Sequence, residues 1–110
     1  MSYYIRSVDS TLSASKEQIE KFHREYLDDL RKFLVLENFD IIYSPASGQI
    51  VHIDLNQVNY NGQDSVLSMI APYLNDGYME IHSEDGEVWR WVVKDGKLIT
   101  LAPKIEWIEE

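Results

Sequence analysis

The chain contains no cysteine. That absence removes disulfides, thiolate zinc sites and thiol chemistry together. Glycine and proline are sparse, five and three among 110 residues, and the glycines are scattered through turns, so no glycine-rich loop is present to cradle a phosphate. Long apolar runs are missing as well. The opening MSYYIRSVDS lacks the apolar core of a signal peptide, and no later stretch approaches the roughly 20 apolar residues of a membrane span. A cytoplasmic protein without a membrane segment is the expectation. Positive charge is the last scarcity: ten Lys and Arg stand against nineteen Asp and Glu, a formal net charge of −9.

The charge imbalance is uneven. Residues 1–55 carry six basic and nine acidic residues, while residues 56–110 carry four and ten, leaving −3 and −6. A chain of this charge repels phosphate backbones and has no basic stripe to offset the repulsion, so direct nucleic-acid binding is not expected. Basic partners are favoured instead, drawn in by long-range steering. High negative charge also serves solubility alone. Hydrophobic residues at 45% and charged residues at 26% are ordinary for a globular protein, and the length suits one domain spanning residues 1–110.

Motifs that carry chemistry are equally scarce. His23, His52 and His82 fall in three different elements without metal-ligand spacing, no serine sits in a nucleophile elbow, and no pair of carboxylates stands out from the general acidity. SEDGE, residues 83–87, has the composition of a calcium-loop fragment without its twelve-residue ligand pattern. The expectation is a protein with no cofactor, no metal and no catalytic centre.

Along the chain, SYYIRSV reads as a strand. Ser15 with Gln18 fits a capping box, and from Ile19 the apolar residues Phe22, Tyr26, Leu27, Leu30, Phe33 and Leu34 recur at helical spacing, predicting one helix as far as Leu34. Glu17–Lys21, Glu20–Arg24 and Asp28–Lys32 would line its outer side. FDIIYS and QIVHIDL, separated by PASG, read as a hairpin in which Val51, Ile53 and Leu55 share one face. NQVNYNGQD reads as a polar loop. Asp64 is placed to cap a second helix, with Val66, Leu67, Ile70, Ala71 and Leu74 inward and a stop at Pro72. YMEIHS, VWRWVV and KLITLA then read as an antiparallel meander turned by Asp85-Gly86 and Asp95-Gly96, and KIEWIEE as a last edge strand.

Strand, helix, strand, strand, helix, strand is the order of the ferredoxin-like split βαβ fold, an α+β architecture in which two helices cover one face of an antiparallel sheet. An extra C-terminal meander would extend it. If both Asp-Gly pairs close two-residue turns, Met79, Ile81, Val88, Val92, Ile99 and Leu101 share one face with Arg90. Tyr78, Glu80, His82, Trp89, Trp91, Val93, Leu98 and Thr100 then share the other. The aliphatic face is assigned to the core, at the cost of Arg90 having to reach a rim or an acid.

That assignment makes Tyr78, Glu80, His82, Trp89 and Trp91 the candidate binding patch, with two tryptophans of the kind that anchor interfaces. Three uses of it remain open. The leading one is a small acidic interaction protein that covers a basic site on a macromolecular partner; in size and charge the chain resembles immunity proteins and phage-type inhibitors. The second is a ligand-binding or enzymatic pocket lined by Glu80, His82 and Trp91. The third is a homodimer formed by pairing the open sheet faces.

Overall fold

The computed structural model describes residues 3–103. Strands β1 (Tyr4–Ser10), β2 (Asp40–Tyr43), β3 (Ile50–Asp54), β4 (Val58–Asn59), β5 (Gly77–Ser83), β6 (Val88–Lys94) and β7 (Lys97–Leu101) are interleaved with helices α1 (Lys16–Tyr26), α2 (Leu30–Leu36) and α3 (Gln63–Ile70). A 3-10 turn over Ala71–Tyr73 ends α3 where Pro72 withdraws an amide. The expected strand in KIEWIEE, residues 104–110, lies outside the described residues. Among those described, no helix is long and apolar enough to cross a membrane.

The class is α+β, but the strand order is not the split βαβ one. Five strands form one sheet in the order β4-β1-β5-β6-β7, while β2 and β3 pair only with each other in a second, two-stranded sheet. Each of these pairings is antiparallel. The hairpin is held beside β1 rather than within the sheet, through reciprocal backbone bonds of Ala14 with Ile50 and a bond from the Ser7 amide to the Leu55 carbonyl. Part of the loop that follows becomes β4, which takes the sheet edge next to β1.

The long N-terminal helix divides in two. Ser15 and Gln18 form the capping box, but at the far end Leu27 takes a left-handed conformation, φ 55°. The Asp29 carboxylate then accepts from the Arg31 amide and opens a new helix. Asp28 accepts from the Asp29 amide. Adjacent aspartates compete for the backbone in this way and favour a cap over an unbroken helix. The break lets Ile19 and Phe22 of α1, and Leu30 and Leu34 of α2, all reach the core, while Leu27 is left 83% exposed.

In the meander only one of the two turns has the expected length. Lys94 pairs with Lys97, so Asp95 and Gly96, both at positive φ, close a two-residue turn. The earlier turn takes three residues. Gly86 N–H donates to Ser83 C=O and Ser83 N–H to Glu87 C=O, with Gly86 at φ 90°, the loop that follows a tight turn with one left-handed residue. The pairing therefore runs Met79 with Trp91 and Ile81 with Trp89. A one-residue slip from the two-residue expectation turns every side chain of β6 over.

The core face of the sheet carries Ile5, Met79, Ile81, Trp91 and Val93, packed with Phe22, Leu34, Ile53 and Leu67 from the helices and the hairpin. Arg90, Val88, Val92, Ile99 and Leu101 face the other way. The conflict of an arginine among core aliphatics does not arise.

Candidate functional site

The slip in β6 separates the five residues of the expected patch. Trp91 is 2% exposed and in the core, and Trp89 is half-buried against it, the two rings meeting edge to face at 5.9 Å. Tyr78, Glu80 and His82 lie on the opposite, open face of the sheet. Trp91 does not join that surface, while Trp89 lines a cleft with Glu80 and Arg90 that includes neither His82 nor Trp91.

The three that remain together form a self-contained polar row. Glu80 accepts from Arg90 Nε at 3.0 Å on one oxygen and contacts His82 Nε2 at 3.0 Å on the other. Its carboxyl is held below the usual range, first by the hydrogen bond from His82 and then by that from Arg90. Arg90 also lies over the Tyr78 ring, 4.7 Å from its centroid. The Tyr78 hydroxyl donates to Asp9, which raises the phenol above its ordinary value. Every charged group here has a neighbour, and the row links β1, β5 and β6 across the exposed face of the sheet.

A second constellation, which the sequence did not single out, lies where the hairpin meets β1. A cleft of about 430 Å³ is lined by Ser7, Val8, Asp9, Asp40, Ile42, His52, Asp54 and their neighbours. Two irregularities shape it. In β1 the ladder to β5 jumps between Ser7 and Asp9, leaving Val8 bulged outward and 40% exposed. In β3 the ladder jumps so that Ile42 faces His52 and Tyr43 faces Ile50, with Val51 as the extra residue. Bulges re-aim the side chains on either side of them. Here Val51 is put outside instead of sharing a face with Ile53 and Leu55, and Ile50 is buried.

The cleft floor is hydrogen-bonded across β1 and β3. Ser7 Oγ donates to Asp54 Oδ1 at 2.7 Å and accepts from the Leu55 amide at 2.9 Å. His52 Nε2 pairs with the other oxygen of Asp54. The mouth is less settled. Asp40 is the direct ladder partner of Asp54, and like charges placed opposite one another on adjacent strands are destabilising. His52, when protonated, offsets part of that repulsion. No Lys or Arg lines the cleft, and between Lys32 and Arg90 the chain has neither residue, so β2, β3, α3 and β5 bring Asp40, Asp54, Asp64 and Glu80 without a lysine or arginine among them. The rim is apolar, with Val8 and Ile42 exposed.

This pattern was only partly legible beforehand. The net acidity was visible in composition, but Asp9, Asp40 and Asp54 all belong to residues 1–55, the half with the smaller excess, and β1 and β3, remote in sequence, meet at Ser7 and Asp54 only through tertiary structure. Among the described residues no group of three or more His, Asp or Glu is arranged to hold a metal ion. Comparison with protein families, with curated proteins and with solved structures found no match.

Proposed function

We propose that the protein is an interaction module that receives a cationic element of another macromolecule in the cleft between β1 and the β2–β3 hairpin. The observation that carries this reading is the Asp40–Asp54 pair, two carboxylates set opposite each other across a ladder in a cleft whose lining includes no lysine or arginine. A Lys or Arg side chain from a partner would relieve that repulsion and lay its aliphatic stem on Val8 and Ile42. Net charge adds a steering field that accelerates encounter with basic partners and weakens with salt. Covering a basic site in the manner of a small inhibitor is the form of action these features suit.

The test separates binding from folding because relief of like-charge strain stabilises the free protein. Asp40→Asn should raise the melting temperature, by an increment within the roughly 0.2–1 kcal/mol of a cross-strand pair. The same change should weaken binding of a lysine- and arginine-rich peptide, followed by amide chemical shifts, with wild-type shifts centred on Val8, Asp40, Ile42 and Asp54. Shifts spread evenly over all acidic residues, or binding indifferent to Asp40→Asn, would reduce the interaction to general charge attraction and remove the cleft as its site.

A further inference from the structure

The two edges of the main sheet are unequal. The β4 edge is a stub of two residues, a common way of blunting an edge against pairing. The β7 edge runs for five residues, all but Leu98 exposed, and its sole strand neighbour among the described residues is β6. Ile99 and Leu101 are 44% and 50% exposed, and Lys97, at the turn, is the strand's one charged residue. A long, apolar edge without a central charge is a template for another strand.

The turn geometry tells which backbone groups of that edge are free. Lys94 and Lys97 close a two-residue hairpin, and such closing residues exchange both of their backbone bonds. Bonded and non-bonded pairs then alternate, so Lys97, Ile99 and Leu101 direct their amides and carbonyls toward β6, and Leu98 and Thr100 direct theirs outward. Ala102 continues the outward set. Pro103 falls at an inward position, where its missing amide can no longer serve the ladder.

From this parity we infer that β7 pairs antiparallel with β7 of a second copy about a two-fold axis through Thr100. A dyad on Ile99 meets the same parity, but it bonds only Leu98 with the partner's Thr100 and leaves Ala102 opposite the turn residue Gly96, a shorter ladder. A dyad on Leu98 would leave Leu101 beyond the ladder. On Thr100, Leu98 bonds with the partner's Ala102 and Thr100 with the partner's Thr100, a pair type that is favourable across strands. On the open face Ile99 meets the partner's Leu101 and Leu101 the partner's Ile99, closing an aliphatic cluster. The charges around the edge are mixed, Lys94 and Lys97 flanking Asp95 at the turn and Arg90 paired with Glu80, so the edge itself carries little of the net negative charge. The acidic cleft, on the far side of β5 and β6, stays open in both copies, and the pairing does not depend on what that cleft binds.

Sedimentation velocity over a range of protein concentrations tests the pairing, with Thr100→Pro and Ile99→Pro as contrasting variants. Wild type should shift from a 12.9 kDa species toward twice that mass, more readily as salt screens the mutual repulsion. Thr100→Pro removes an outward amide, so it should stay folded and monomeric; Ile99→Pro removes an inward one and should destabilise the fold. A Thr100→Cys variant gives a second readout in a chain with no other cysteine. It should crosslink to a disulfide dimer on mild oxidation, since directly opposed residues of a bonded pair lie about 5.5 Å apart, and Ile99→Cys should not. A wild type that remains monomeric at every concentration, or a dimer that survives Thr100→Pro, overturns the inference.

Discussion

At the scale of single residues, Trp91 and Glu80 show how one strand position separates packing from electrostatics. Trp91 fills the centre of the core at 2% exposure, so Trp91→Ala should cost about 3–5 kcal/mol, read as a large drop in the denaturant midpoint. Glu80, one strand over and facing solvent, acts through charge. His82 and Arg90 hold its carboxyl below the ordinary value, which means the folded state binds the proton less readily than the unfolded chain. The resulting stabilisation is present above the ordinary carboxylate range and is lost as pH falls through the lowered value. Melting curves of wild type and Glu80→Gln should therefore differ at neutral pH and converge in acid. Convergence on raising the pH instead would contradict the network. The Trp-Arg-Trp spacing announced alternation across a strand, but it carried no information on which side was inside.

Among elements, the hairpin between β5 and β6 decides more than its size suggests. Asp85-Gly86 is a strong turn signal, yet Ser83 supplies what the dipeptide cannot. It accepts the Gly86 amide on its carbonyl and the Glu87 amide on its hydroxyl, which stabilises a three-residue loop. Deleting Glu84 would leave Asp85-Gly86 as a two-residue turn closed by the same pair, Ser83 and Glu87. The expected outcome is a chain that keeps Trp91 inside and melts cooperatively, and a non-cooperative transition would contradict this register. The helix break is a second case. Periodicity from Ile19 to Leu34 is continuous, and only the paired aspartates hint at the interruption. Because Leu27 is left-handed and its side chain is solvent-facing, Leu27→Gly should be neutral or stabilising, by up to about 1 kcal/mol. Asp29→Ala should cost about 1 kcal/mol through the lost cap, both changes being measurable by chemical denaturation.

For the whole molecule, charge and topology act together. A net charge of −9 favours the unfolded chain, where the acids move apart, and raising ionic strength should increase the melting temperature by screening that repulsion. A fall in melting temperature with salt would mean that ion pairs such as Arg31 with Asp29 outweigh the repulsion. The sheet order is where reading by element order stopped short. The sequence of strands and helices is compatible with a split βαβ fold, but β2 and β3 close on themselves, and a two-residue strand at Val58–Asn59, too short to show any alternation, takes the place beside β1.

The sequence by itself determined the α+β composition, the capping box at Ser15, the end of α3 at Pro72, the Asp95-Gly96 turn and the excess of acid. All of these are set within a few residues by backbone preference, side-chain period or simple count. Tertiary structure alone decided which face of β6 is buried, that the hairpin stands apart from the main sheet, and that Asp40 and Asp54 line one cleft with Ser7 and Val8. Each of those depends on register, and register is settled by long-range packing and by bulges that a single inserted residue creates or removes.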